Sequence, residues 1–512
     1  MIDLQLKPPV RWTIAPLLVG LPGLISTAAI AQGPPPGLCP AQLATAVAPI
    51  LKRSQVAGVR WGILVERQTP IKADRTTLFS RNPTTLLIPA SNNKLFTTTA
   101  ALLGLGQHYT IRTTITGSGT PPNLNTLRII GHGDPTLTTA QLTRLAQDLN
   151  QRGIRQVDQL IGDDTYFRGS ATNPYWERED TLTGYAATVN SLMVNQNGIG
   201  FSLVPQQIGQ PLRIQWDDPA DAAEWKVVNR SRTVSGNQGE YVDASRDPNQ
   251  RLIRIDAQLR AGSEPEPTSV SVPNPGSYLL QKFQAALAIA GITAAKTALV
   301  KITPAAPGES ELANVESPLL RDMLVETNQQ SNNIYAETLL KTLGNVQAPG
   351  NSNSTEAGIA TVKNVLTRIG VDPTLYNMVD GSGLASRNRA SAQALVQVLQ
   401  GIALSPEEAQ VLRDSLSVAG VSGTLKKRFK DTPVKGQLRA KTGYIAGAVA
   451  LSGYLNPPNY PPVALSILAN YSSAPLAAVR KSVDDIVLTL ARLDSSACSN
   501  NTKSLEKSGR AK

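Results

Sequence analysis

Val59 to Glu66 (VRWGILVE) is an apolar, β-rich run, and Thr77 to Ser80 offers it a partner, so the pattern predicts a strand pair. A short helix is expected before it, from about Ala41 to Ser54. After it, Pro89-Ala90 leads into Ser91 to Leu103, an Ala/Thr/Leu-rich stretch that Gly104 closes in the manner of a helix C-terminus. The far end mirrors this order. Ala446 to Leu455 and Val463 to Ala469 are β-rich runs separated by a Pro-rich turn, and Pro475 to Leu493 reads as a final amphipathic helix. Strands near both ends predict one sheet assembled from the two termini.

The middle has another character. From about Ile111 to Pro275 the chain is rich in Thr, Gln and Asn, with short β-like pieces (Leu127 to Gly131, Leu252 to Leu259) and one helical pattern, Thr139 to Arg152. Helical spacing returns at Tyr278 to Ala290, Pro318 to Thr327, Asn333 to Thr342 and Thr355 to Ile369. The expectation is an α+β chain. Residues 38–110 and 291–498 would form the main domain, and 111–290 an inserted accessory region.

Composition narrows the chemistry. Hydrophobic residues make up 41%, enough for sizeable cores. The net charge of +11 permits binding to an anionic polymer, but no Lys/Arg run of five or more focuses it, so a generally basic surface is the reading. The 4% aromatic content and the export signal below disfavour nucleic acid. With only His108 and His132, and only Cys39 and Cys498, metal cages and Cys–His catalysis are nearly excluded, and no metal or cofactor is expected.

The first 31 residues read as a secretory signal: Lys7 and Arg11, an apolar stretch from Trp12 to Ala31, and a small-x-small end at Ala29-Ile30-Ala31. An uncleaved anchor is the alternative, although Pro16, Gly20, Pro22 and Gly23 make a poor spanning helix. Either reading exports the remainder to a periplasmic or extracytoplasmic space. Pro36-Gly37-Leu38 before Cys39 lacks the small residue of a lipid-anchor signal, so no stable membrane anchor is expected after cleavage. In an oxidising compartment an even cysteine count predicts a Cys39–Cys498 bridge. The polar tail 499–512 is expected to be disordered.

Three short motifs carry candidate chemistry. In Ser91-Asn92-Asn93-Lys94, positions i and i+3 of a starting helix share a face, so the lysine amine can reach the serine hydroxyl without help from histidine. Ser331-Asn332-Asn333 falls between two helical segments, where a helix N-cap is the competing reading. Lys441-Thr442-Gly443 stands immediately before the run starting at Ala446, where an ordinary turn competes. Each motif is weak by itself. Ser504 to Lys507 repeats the first spacing, and Ser499 to Asn501 the second.

In combination and in this order they are the three active-site elements of penicillin-recognising serine enzymes. The 236 residues between Lys94 and Ser331 hold the accessory region, and the chain resembles the class C low-molecular-mass penicillin-binding proteins, the D-alanyl-D-alanine carboxypeptidase/endopeptidase family. Ile88-Pro89-Ala90, Gly131 to Leu137, Gly162 to Phe167, Asp380 to Leu384 with Arg387, and Ala440 to Tyr444 also carry the resemblance, which runs from roughly Ala41 to Leu493. It implies a serine DD-peptidase/β-lactamase-like main domain, with an antiparallel sheet flanked by helices. Ser91 would be the nucleophile, Lys94 its base, Ser331 a proton relay, and Asn333 a holder of the substrate amide and Lys94. Lys441 and Thr442 would bind the terminal carboxylate. Gly443 would allow close approach, and the N–H groups of Ser91 and Tyr444 would form an oxyanion hole. An acidic accessory residue, best matched by Asp163 or Asp164, would read the free amino end of the peptide. Asp380 to Leu384 and both histidines are expected to be structural.

The implied function is an exported D-Ala-D-Ala carboxypeptidase or DD-endopeptidase that acts on peptidoglycan peptides and is acylated by β-lactams. Two alternatives stand beside it. A β-lactamase would need a deacylating Glu in an E-x-x-L-N setting, and the nearest text, Glu337 to Lys341, lacks the Asn. A non-catalytic wall-binding scaffold would need neither nucleophile nor base.

Overall fold

The computed structural model describes residues 37–300 and 308–498. The predicted signal segment 1–31, the tail 499–512 and the two duplicate motifs at 499–501 and 504–507 lie outside the described residues.

Its principal sheet runs in the order Ser417–Val418, Leu438–Ile445, Ala448–Leu455, Val463–Asn470, Arg60–Arg67, Thr77–Arg81, with every pairing antiparallel. Arg60–Arg67 pairs with Val463–Asn470 along its full length, so strands from opposite ends of the chain sit side by side. Ala448–Leu455 is buried at every position, because helices cover both faces of the sheet. On one face Leu43–Leu51 and Leu476–Leu490 contribute Leu43, Val47, Val483 and Ile486 to a core with Ile63 and Ile467. On the other, Lys94–Leu105, Ser354–Arg368 and Ala392–Gly401 pack Phe96, Val365 and Leu395 against Leu64 and Leu468. The chain ends meet through a Leu38–Leu493 bridge, and the Sγ atoms of Cys39 and Cys498 are joined.

A second, mixed sheet follows the order Thr293–Val300, Gln156–Asp163, Asn123–Ile130, Arg112–Thr120, Ser310–Glu316. Helices Thr139–Gln151 and Pro275–Ile289 cover it with Leu142, Leu145, Leu279 and Phe283. Its outer strands Thr293–Val300 and Ser310–Glu316 lie beyond the boundary at 290 that composition suggested, and pairing ties both to the accessory sheet. Smaller sheets around Gly198–Val204 and Leu252–Arg260 enclose a separate core containing Phe201 and Ile255.

Two local expectations are corrected. The helix after Ser91 passes through Gly104, where a Cβ would meet Leu343 Cδ1 at 2.7 Å, and stops at Gly106, whose φ of 84° is the left-handed turn-off. Lys441-Thr442-Gly443 is not a turn ahead of a strand, since it lies inside Leu438–Ile445 and pairs with Leu451 to Ser452 and Ala450. No helix among the described residues is long and apolar enough to cross a membrane.

Candidate active site

Ser91 sits in a 3-10 turn, Ala90–Asn93, that runs directly into Lys94–Leu105. This places Lys94 one turn below the serine, pointing inward and fully buried. Its Nζ lies 3.2 Å from Ser91 Oγ, 2.6 Å from Asn333 Oδ1 and 2.8 Å from the Ser382 carbonyl oxygen. Burial pushes the Lys94 ammonium down to about 7, against the pull of Asp380 and Glu337, which favour the charged form. A neutral amine has two N–H groups and one lone pair. With the hydrogens directed at Asn333 and Ser382, the lone pair is left for the Ser91 hydroxyl.

The backbone around the two serines is strained in the same sense. Ala90 has φ 47° and Ser331 φ 60°, left-handed conformations that cost about 1–3 kcal/mol for a residue with a side chain. At Ala90 the strain comes with close packing, since Gly383 approaches so nearly that a Cβ on it would lie 2.0 Å from the Ala90 carbonyl oxygen. Asn92 ties this turn to the sheet. With its amide oriented to satisfy both atoms, the nitrogen donates to the Lys441 carbonyl at 2.8 Å and the oxygen accepts from Ser452 Oγ at 2.8 Å.

Ser331-Asn332-Asn333 opens the helix Asn333–Gln347, and the cap is Asn332, whose Oδ1 accepts from the N–H groups of Ile334 and Tyr335. Ser331 is therefore spared for another contact, and Lys441 Nζ donates to its Oγ at 2.9 Å. Lys441 is fully buried in the strand, and burial together with neighbouring Lys94 holds its ammonium well below the ordinary lysine value. Asn333 spans two regions, since its Oδ1 accepts from Lys94 while its Nδ2 donates to the Tyr185 carbonyl of the accessory region at 2.9 Å.

On the next strand positions, Thr442 Oγ1 lies 2.7 Å from Thr424 Oγ1. A Cβ on Gly443 would fall 2.8 Å from the Pro89 carbonyl and 3.1 Å from Ser91 N, so glycine lets the strand pass beside the nucleophile turn. Tyr444 projects outward, about half exposed, under Arg480, whose guanidinium is 4.8 Å from the ring centre. Ser91, Ser331, Asn333 and Tyr444 line one cleft of about 630 Å³, together with Tyr175, Glu177, Asp180, Tyr185 and Leu384.

Asp163 is not in that cleft. It is buried in the accessory sheet, where Oδ1 accepts from Thr165 N–H and Oγ1 and Oδ2 faces Arg128 at 3.4 Å. Asp164 is equally occupied, with Oδ1 accepting from the N–H groups of Ser191 and Leu192. The oxygens of Asp163, expected to read a ligand, here serve a turn and a buried ion pair. The carboxylates among the cleft residues are Glu177 and Asp180, and Asp180 Oδ1 accepts from the Tyr185 hydroxyl at 2.6 Å. Glu177 lies on irregular chain and Asp180 opens the short 3-10 helix Asp180–Leu182, and no periodicity marks a site in so short a stretch. His132 Nδ1 lies 2.7 Å from the Arg112 carbonyl oxygen, within the accessory region. Among the described residues no cluster of His, Cys, Asp or Glu is arranged to hold a metal ion.

A serine hydroxyl beside a buried lysine amine, with a second lysine–serine pair facing it, is an arrangement that lysine-assisted serine hydrolases use. Residues 43–490 match the D-Ala-D-Ala carboxypeptidase 3 (S13) family. A D-alanyl-D-alanine carboxypeptidase of Actinomadura sp. is 32% identical over 415 residues, 78% of this chain and 76% of that protein. A penicillin-sensitive carboxypeptidase A of Dictyostelium discoideum is 27% identical over 467 residues, 86% of this chain and 88% of that one. The crystal structure of penicillin-binding protein 4 of Haemophilus influenzae superposes with a TM-score of 0.72 at 23% identity, covering 87% of this chain and 99% of that chain, and so shares the fold. The chain belongs to the D-Ala-D-Ala carboxypeptidase 3 (S13) family. It is a serine-type D-Ala-D-Ala carboxypeptidase.

Proposed function

We propose that the protein is exported and cleaves the bond after D-alanine in peptidoglycan peptides through an acyl-enzyme on Ser91, and that β-lactams acylate the same serine. The observation that carries this reading is the buried Lys94 amine, pushed down to about 7 and 3.2 Å from Ser91 Oγ. Lys94 takes the hydroxyl proton as Ser91 Oγ bonds to the carbonyl carbon. The oxyanion is received by the Ser91 and Tyr444 N–H groups, and the first of these belongs to a helix start, where amide protons lack helical partners.

The proton that Lys94 took from Ser91 returns through the Ser331 hydroxyl, held by Lys441, to the departing amine, so the C–N bond breaks with a neutral leaving group. The C-terminal carboxylate binds Lys441 and Thr442. Its charge favours the ammonium form of Lys441, which burial suppresses in the empty site. Water then hydrolyses the ester and releases Ser91. Release of one D-alanine makes the enzyme a carboxypeptidase, and a cross-linked peptide as leaving group makes it an endopeptidase.

Asp180, a carboxylate that lines the cleft, is the better placed to receive the peptide's free amino end. Export is supported by the signal-like segment and by the joined cysteines. β-Lactam acylation is supported by the likeness to penicillin-binding protein 4 of H. influenzae in complex with a β-lactam, at a TM-score of 0.66. The β-lactamase alternative is disfavoured because Glu337 is buried, bonded to backbone N–H groups and not among the residues that line the cleft.

The test is D-alanine release from a diacetyl-Lys-D-Ala-D-Ala peptide by wild type, Ser91→Ala and Lys94→Met. Release by wild type alone is expected. Undiminished release by Ser91→Ala overturns the assignment.

A further inference from the structure

Glu337 is a buried carboxylate to which the steps above give no part. It lies on the first turns of the helix opened by Ser331-Asn332-Asn333 and is 3% exposed. Its Oε1 accepts from Gly381 N–H at 3.0 Å and Ser382 N–H at 2.8 Å, and its Oε2 from Gly381 N–H at 3.1 Å. This backbone belongs to the Asp380-Gly381-Ser382-Gly383 turn, whose carbonyls grip the start of the nucleophile helix. Asp380 O accepts from Asn93 Nδ2 at 2.9 Å, Gly381 O from Thr97 Oγ1 at 2.7 Å, and Ser382 O from Lys94 Nζ at 2.8 Å. The peptide joining Gly381 to Ser382 and the Ser382 residue itself thus connect Glu337 to the lysine amine.

Asp380 holds the same turn from its own side. Its carboxylate accepts from the N–H groups of Gly383 and Ala385, from Asn388 Nδ2 and from Trp176 Nε1, all within 3.0 Å. Both carboxylate oxygens of Asp380 are therefore engaged, by the turn and the residues just after it and by Trp176. Glu337 alone of the two reaches the turn from the helix that also presents Ser331 and Asn333.

We propose that Glu337 is a positioning residue for Lys94: it fixes the Ser382 carbonyl that orients the amine, and it sets the negative charge against which that amine loses its proton. The proposal rests on Lys94 acting as the base of Ser91. It couples the Ser331–Asn333 helix to the Ser91–Lys94 helix through one carboxylate, so the groups that deliver and remove protons are held in common register.

The charges facing this assembly are Asp380 from the turn, Lys441 from the adjacent strand, and Lys341 one helical turn beyond Glu337. Lys341 is held by the Ser170 and Val189 carbonyls, at 3.1 and 2.7 Å. Glu337 and Lys341 also line a cavity of about 280 Å³ that Ser91, Lys94, Ser331 and Lys441 do not line. Burial pushes the Glu337 carboxyl above the ordinary carboxylate range, with Asp380 adding to the rise, while the Gly381 and Ser382 N–H groups favour its ionised form.

The test is the pH profile of acylation by a chromogenic β-lactam for wild type, Glu337→Gln and Glu337→Ala. Gln keeps an acceptor for Gly381 and Ser382 while removing the charge. Lys94 should then lose its proton more readily, and the acid limb should move to lower pH by roughly one unit, with the plateau rate within about tenfold of wild type. Ala removes acceptor and charge together, and should lower the plateau by roughly 100-fold or more through misplacement of the amine.

An unmoved acid limb in Glu337→Gln overturns the proposal, whether or not the plateau falls, because a purely structural residue would change rate or stability without moving that limb. If Glu337→Ala does not fold, Glu337→Gln decides alone. Failure of the underlying reading is distinct: wild type itself would then show no acylation at Ser91.

Discussion

Substituting Gly383 by alanine tests how tightly the nucleophile turn is held. The residue has φ +83°, and a Cβ there would lie 2.0 Å from the Ala90 carbonyl oxygen and 2.8 Å from Asn93 Cβ. An ordinary carbon–oxygen approach is roughly 3.3 Å, so the Ala90 carbonyl and the turn must separate by about 1 Å. Left-handed backbone adds roughly 1–2 kcal/mol and overpacking another 1–3 kcal/mol, so Gly383→Ala should lose about 2–5 kcal/mol of stability. Because Ala90 immediately precedes Ser91, a shift of that size should also slow acylation by about 100-fold. Gly370→Ala separates the two effects: its φ is +86° with nothing within 4 Å, so it should lose only about 1–2 kcal/mol and keep the wild-type acylation rate. Stopped-flow acylation with urea unfolding of both variants is the assay. A Gly383→Ala rate within twofold of wild type would refute the reasoning.

Acylation should rise with pH through about 7, because Lys94 must be neutral to act and its folded value is depressed to about 7; a profile flat from pH 5 to 9 contradicts this. Arg128→Met should destabilise the accessory sheet by about 3–5 kcal/mol, since Arg128 faces Asp163 at 3.4 Å and Glu309 at 3.0 Å with all three side chains nearly inaccessible; urea unfolding checks it. Asp180→Asn should lower kcat/KM by roughly 10-fold or more for peptides with a free side-chain amine and leave acetylated peptides unaffected, as expected for one lost charge-assisted hydrogen bond. Asp163→Asn should show no such selectivity.

The main sheet was readable because its strands are either continuous apolar runs or sit beside them: Val463–Asn470 is buried on both faces, so nearly every residue is apolar. Arg112–Thr120 (RTTITGSGT) escaped notice for the opposite reason. Its inward positions are Thr113, Ile115 and Gly117, and only one of them registers as hydrophobic. The helix end was misread at Gly104 because that glycine serves close packing against Leu343, while Gly106 supplies the left-handed turn. For the site, i,i+3 spacing placed Lys94 beneath Ser91, and the motif order brought in Ser331, Asn333 and Lys441. Asp180 carries no such signal, since its place in the cleft depends on how the short 3-10 turn Asp180–Leu182 of the accessory region folds back to the site. Glu337 stands out in the sequence only as an incomplete match to a deacylating Glu, and its bonds to a turn 44 and 45 residues away appear only in three dimensions.

The most direct test of the central claim is the intact mass of the mature protein with and without benzylpenicillin, for wild type and Ser91→Ala. One stable penicilloyl adduct on wild type, mapped to Ser91 and missing from Ser91→Ala, is the predicted result. An adduct that persists in Ser91→Ala, or a wild-type protein that neither retains nor hydrolyses the drug, would contradict it.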